Sequence, residues 1–276
     1  MGHQIFNNLH HDASFKQNGY VVLDLLSDND VNQLIQAFAK VEQQHMFDYV
    51  ASVVLHDFEM RKSIHEHLTP VFDRSILPSL FNYKFIVGSF VAKKPSSSKG
   101  KFPLHQDPTF VDEEKNVGMS IWCPLVDVDE NNGCLGVLPG SHYLSNHFRN
   151  AAMLPYPEWV EILESNYMQY IPMKVGQVLF MNTRMIHGSP PNLSAKMRPV
   201  AAGVAIPKGE HLLCCHIDEN IDSQKTNVYE VEDNFYLTYI MQSLPNSGKL
   251  LKTVPKQVEE LSVDKIESLA SGILQS

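Results

Sequence analysis

The sequence predicts a mainly β fold with helices on its outside, and three observations carry that prediction. From Tyr83 onward the chain is a series of short apolar runs broken by Gly, Pro and Asn: YKFIVGSFVAKK, VGMSIWCPLVDV, GCLGVLP, YIPMK, GQVLFMN, RPVAAGVAIP and TNVYEV. Many short strands with turn residues between them suggest a sandwich, a jelly roll or a barrel. Ahead of that region Val31, Leu34, Ile35 and Phe38 recur at helical spacing. With 276 residues and 43% apolar content the chain can also bury a substantial core.

Taken in order, FKQNGYVVL opens with a β-prone run over Tyr20–Leu23, and Ser27 or Asp28 caps the helix that follows. A second helix is expected within 57–69, stopping before Pro70. The N-terminal helices thus occupy about 27–70 and the β core about 83–232. KKPSSSKGK, 93–101, reads as a flexible basic loop whose lysines Lys93, Lys94, Lys99 and Lys101 could attract anions. Residues 141–167 form an insertion too long for a hairpin, with the character of a lid. SVDKIESLA in the charged tail is a further helix. No repeat or linker divides the chain, so 1–276 is expected to be one domain.

The formal charge of −9 argues against a nucleic-acid or anionic-membrane surface and favours a small-molecule ligand. No secretory signal or bilayer-length apolar run is present, so a cytoplasmic location is expected. Cys123, Cys134, Cys214 and Cys215 form no CxxC pair and read as small apolar residues. Oligomeric state leaves no sequence trace.

Three His-x-Asp tripeptides occur among the thirteen histidines: HHD at 10–12, HQD at 105–107 and HID at 216–218. In a strand, residues two apart share a face, roughly 6 to 7 Å apart at Cα, so His105 and Asp107 can reach one ion. A mononuclear iron site needs a third ligand, usually histidine, with positions left open for co-substrate and oxygen. No histidine follows HID, and HHD lies in an N-terminal segment expected to be mobile. HQD alone combines a strand setting with downstream partners: His142, His147, His187, His211 and His216. Arg198 lies eleven positions after His187 and opens a strand, where its planar fork suits a carboxylate. Arg149 follows His142 at seven positions, a looser alternative. His187 is therefore favoured.

The ordered set HQD, NNGCLGVLPGSH and IHGSPPN, with an arginine eleven residues after the histidine, resembles the phytanoyl-CoA dioxygenase family of Fe(II)- and 2-oxoglutarate-dependent oxygenases. The resemblance runs from about residue 15 to about 210. It implies a double-stranded β-helix, a cupin-like jelly roll. It implies Fe(II) on His105, Asp107 and His187, 2-oxoglutarate as co-substrate with its distal carboxylate on Arg198 and Ser189, Trp122 lining that pocket, and O2 as oxidant. Gln106 matches the family's HQD, although strand alternation turns it away from its neighbours. Because Asp107 is retained, hydroxylation is expected over halogenation, with release of succinate and CO2. A cupin-like metal enzyme that uses no 2-oxoglutarate and a silent binding protein on the same scaffold are the rival readings. The substrate is a small molecule, an anionic or carrier-linked one being compatible with the lysine loop, and Arg149 is its candidate contact. Phe90, Phe102 and Phe110 read as core or pocket wall, and Asp112, Glu113 and Glu114 as a solvated acidic turn.

Overall fold

The computed structural model describes residues 3–42, 49–144, 147–150, 156–218, 222–257 and 260–271. Helix α1 (Leu9–Asn18) comes first. Asn8 caps it by accepting from the amides of His10 and His11, and Gly19 ends it in the left-handed region, φ 80°. The HHD tripeptide therefore lies in a capped helix, not in a mobile arm. The Asp12 carboxylate turns inward and accepts from the Ile5 and Phe6 amides at 2.6 and 3.0 Å.

Strand β1 (Tyr20–Asp24) and helix α2 (Asp28–Glu42) follow as expected. Ser27 Oγ accepts from the Asp30 amide at 3.2 Å while Asp30 Oδ2 accepts from the Ser27 amide at 3.1 Å, a reciprocal cap. After β2 (Tyr49–Ala51), helix α3 (Phe58–Val71) does not stop before Pro70 but runs through it and widens into a π turn over Phe72–Ile76. An internal proline forfeits a backbone bond and costs about 3 kcal/mol. Against this, Leu68, Val71, Phe72 and Ile76 are all essentially fully buried, and each contributes about 1.5 to 3 kcal/mol. Burial outweighs the local preference, and the wider turn absorbs the steric misfit.

The β region comprises β3 (Tyr83–Lys93), β4 (Phe102–His105), β5 (Met119–Pro124), β6 (Leu135–Val137), then, after α4 (Val160–Asn166), β7 (Gln169–Ile171), β8 (Gln177–Asn182), β9 (His187–Ser189) and β10 (Arg198–Pro207). β11 (Leu212–His216), β12 (Lys225–Val231), β13 (Lys249–Pro255) and α5 (Val263–Ala270) complete it. A six-stranded antiparallel sheet has the order β1-β8-β5-β10-β3-β2, and a four-stranded one β4-β9-β6-β7. A third sheet, β11-β12-β13, lies in the C-terminal part.

Period-two alternation sorts the large sheet's side chains into two layers. Ile121, Cys123, Val178 and Phe180 join the helical side chains Leu34, Phe38, Leu68 and Phe72 on the outer face. Their neighbours Trp122, Leu179 and Met181 face the small sheet and pack with Leu135, Val137 and Ile171. Two facing antiparallel sheets with helices outside are the jelly roll that the strand pattern anticipates.

Of the inserted segment 141–167, residues 145–146 and 151–155 lie outside the described residues. Among the described residues no helix is long and apolar enough to cross a membrane.

Candidate metal centre and its cavity

His105 ends β4 and His187 begins β9, and the two strands pair so that these residues stand in register. Asp107 follows two positions after His105. The potential ligand atoms of the three residues all lie within 4.8 Å of one another. Asp107 Oδ1 is 3.8 Å from His105 Nε2 and 3.9 Å from His187 Nε2.

The tautomers follow from the second ring nitrogens. His105 Nδ1 meets the Pro103 carbonyl at 3.0 Å and His187 Nδ1 meets the Met185 carbonyl at 3.0 Å. A carbonyl only accepts, so Nδ1 carries the hydrogen in both rings and each Nε2 offers a lone pair to the centre. Burial, with His187 beside it, pushes the His105 imidazole down to about 3, so it is neutral at physiological pH. A neutral imidazole is the form that binds metal.

Asp107 is fixed from three sides. Ser120 Oγ donates to Oδ2, leaving Oδ1 toward the histidines. The Asp107 amide donates to the Thr183 carbonyl at 3.1 Å, and Arg149 Nε donates to the Asp107 carbonyl at 2.9 Å.

Arg149 therefore does not serve as the substrate contact expected of it. It is buried, and its guanidinium forms a bidentate pair with Glu113 at 2.6 and 2.9 Å. Glu113 is correspondingly buried, not part of a solvated acidic turn, and Glu113 Oε1 also accepts from Thr183 Oγ1 at 3.0 Å. Removing one partner of a buried ion pair strands the other and costs about 3 to 5 kcal/mol. Arg149→Met is accordingly expected to lower stability by about that amount, read as the urea midpoint of unfolding.

The lysine loop needs a similar correction. Lys93 is fully buried at the end of β3, with its Nζ donating to the Ser189 carbonyl at 3.0 Å and to the Pro190 carbonyl. Lys101 pairs with Glu164 at 2.6 Å. Burial, with Arg198 nearby, pushes the Lys93 amine down to about 6 from the ordinary 10.5. Between those values the unfolded chain holds a proton that the folded chain does not, so this group makes stability rise with pH and removes that gain as pH falls toward 6. Wild type is expected to gain thermal stability relative to Lys93→Met from pH 7 to pH 9; parallel melting curves across that range would refute the buried neutral amine.

A cavity of about 450 Å³ adjoins the centre. His105, Asp107, His187, Ser189, Arg198 and Trp122 all line it. Arg198, 1% exposed, opens β10 opposite Lys93 in register, with its guanidinium carbon 5.5 Å from the Trp122 ring centre. A buried cation beside a hydroxyl and an aromatic wall is a fitting receptor for a carboxylate. Phe102 and Phe110 are also wall residues, while Phe90 belongs to the outer core.

Gln106 is not on the cavity wall. It is buried on the other side of the chain, where its Nε2 donates to the Arg184 carbonyl at 2.6 Å, so alternation overrides the co-substrate role expected of it. His142 accordingly fills space, with Nε2 at 3.0 Å from the Lys16 carbonyl.

Sequence reasoning missed Ser120 and the C-terminal wall of Tyr236, Tyr239 and Met241. Ser120 was findable, because it lies two before Trp122 on the same strand and so shares its face. The C-terminal wall carries no motif.

A family model for phytanoyl-CoA dioxygenase (PhyH) matches residues 15–200. The peroxisomal phytanoyl-CoA dioxygenase of Bos taurus is 26% identical over 223 residues, covering 67% of this chain. The chain spans 64% of the length of that relative. Among solved structures, the non-heme alpha ketoglutarate dependent carbocyclase SnoK from nogalamycin biosynthesis superposes with a TM-score of 0.58 at 19% identity, covering 76% of this chain and 89% of the other. HygX from Streptomyces hygroscopicus, solved with nickel and 2-oxoglutarate bound, gives 0.52 at 14% identity, covering 73% and 88%.

Proposed function

The chain belongs to the phytanoyl-CoA dioxygenase family, and from that premise we propose that it is a single-domain Fe(II)- and 2-oxoglutarate-dependent oxygenase that hydroxylates a small molecule. The observation that carries this reading is the convergence of His105, Asp107 and His187 within 4.8 Å on the wall of a cavity that also contains Arg198. Two imidazole nitrogens and one carboxylate oxygen form the facial donor set suited to non-heme Fe(II). The structurally similar HygX, which holds nickel and 2-oxoglutarate, supports a metal ion together with 2-oxoglutarate here.

His105 Nε2, His187 Nε2 and Asp107 Oδ1 hold the metal. The carbonyls of Pro103 and Met185 and the hydroxyl of Ser120 aim those three atoms. Arg198 and Ser189 hold the distal carboxylate of 2-oxoglutarate, and Trp122 walls that subsite. With O2, the bound iron supplies oxidative decarboxylation of 2-oxoglutarate to succinate and CO2, coupled to oxidation of the substrate. The chain's own contribution is orientation and a largely hydrocarbon enclosure that excludes water. Retention of Asp107 as a ligand favours hydroxylation over halide transfer.

Anaerobic addition of Fe(II) and 2-oxoglutarate to the apoprotein tests this reading. A visible charge-transfer band is expected, together with succinate release in air. Metal binding without the band would point to a cupin-like enzyme that does not use 2-oxoglutarate.

A further inference from the structure

The cavity has a second arginine. Arg61, on α3, is 4% exposed and lines the same wall as the metal triad. Its Nη1 donates to the Tyr239 carbonyl at 3.0 Å and to the Leu55 carbonyl at 3.4 Å, and its Nη2 donates to the Tyr236 carbonyl. A guanidinium has five N–H donors, so these bonds leave two over. One of them, on Nε, is buried with no acceptor. Among the described residues no carboxylate pairs with Arg61, and burial lowers its proton affinity.

A buried cation without a counter-ion is costly. Arg149, by comparison, is matched by Glu113. Three neutral carbonyls and the face of the Phe58 ring, 5.6 Å from the guanidinium carbon, supply no negative charge to match Arg61, and a structural clamp on the C-terminal segment needs hydrogen bonds but no cation.

Position makes the difference meaningful. The cavity floor follows β10, where Arg198 pairs with Lys93, Val200 with Val91, Ala202 with Ser89 and Val204 with Val87. Six residues of strand separate Arg198 from Val204, roughly 20 Å. Val204, Val87 and Tyr236 pack in one cluster, and Tyr236 is the residue whose carbonyl Arg61 holds. Arg61 thus belongs to the end of the floor opposite Arg198. The rest of the lining is largely hydrocarbon and includes Val53, Phe110 and Met241.

We propose that Arg61 anchors a carboxylate at the far end of an otherwise apolar substrate, so that the cavity takes two acids at once: 2-oxoglutarate on Arg198 and a hydrophobic carboxylic acid on Arg61. The inference rests on the oxygenase reading insofar as it makes this cavity a substrate site. It selects a free acid over a bulky carrier conjugate, because the charge that receives the head group is enclosed.

The test uses octanoate, octan-1-ol and octylammonium as probes of one chain length. Each is titrated calorimetrically and anaerobically into protein holding metal and saturating 2-oxoglutarate, which occupies Arg198. Octanoate is expected to bind at least tenfold more tightly than octan-1-ol, with octylammonium weakest, and Arg61→Gln is expected to erase the preference. Equal affinities in wild type, or a preference that survives in Arg61→Gln, would overturn the proposal. The charge-transfer band reads the metal site separately: its absence in wild type indicts the oxygenase reading, whereas a normal band without octanoate preference indicts Arg61. Should Arg61→Gln fail to fold, the Met241 methyl resonance of the Zn(II)-loaded wild type decides the matter, since an octanoate titration that leaves it unmoved places the acid outside this cavity and sinks the idea.

Discussion

His187→Ala is expected to lose Fe(II) affinity and 2-oxoglutarate turnover by more than about 100-fold, because even supporting residues around a metal typically cost 10 to 100-fold. His187 is one of three donors, its Nε2 is presented by the bond from Nδ1 to the Met185 carbonyl, and its ring lies 4.0 Å from that of His105. Alanine removes the donor and leaves a gap that neither neighbour can span. Equilibrium dialysis against Fe(II) and a succinate assay check the two losses independently. Wild-type turnover in this variant would remove His187 from the centre. The packing cost is small beside the functional one, since His187 contributes no long apolar side chain to the core between the sheets.

Arg198→Ala is expected to raise the KM for 2-oxoglutarate by at least about 100-fold, since charged hydrogen bonds contribute about 1.5 to 3 kcal/mol each and a bidentate carboxylate makes two. Fe(II) affinity in the absence of 2-oxoglutarate is expected to change far less, because Arg198 is not among the three grouped donors. Arg198→Lys restores the charge but not the planar fork and should fall between the two. Equal loss of metal and co-substrate affinity would mean that Arg198 supports the fold near the centre and does not receive the acid.

The strands were legible because a half-buried sheet writes itself as short apolar runs between turn residues. Seven such runs correspond to strands here. Helix α3 was legible except at its end, where Pro70 is a local signal overruled by burial of Leu68 before it and of Val71, Phe72 and Ile76 beyond it. The convergence of His105, Asp107, His187 and Arg198 was legible because their order along the chain restricts which residues can share a cavity. The Glu113–Arg149 pair was not, because the two are 36 residues apart and charged residues default to solvent in any local reading. Lys93 was misread for the same reason: it begins a run of polar residues, yet as the last residue of β3 it still alternates inward. Arg61 carries no motif at all, and its setting depends on a C-terminal segment beyond the region of family resemblance.

The bond from Arg149 to the Asp107 carbonyl has an implication for how such enzymes diversify. Arg149 lies within the inserted segment and next to Asn150, which lines the cavity. A part of the insertion that borders the cavity is thus tied to the backbone of Asp107, the proposed carboxylate ligand. Grafting a foreign insertion onto this scaffold would disturb the iron site unless residues 147–149 travel with it and Glu113 is kept to receive them. On the proposed reading, a change to the cavity wall at Asn150 and a change to the setting of Asp107 are coupled through Arg149.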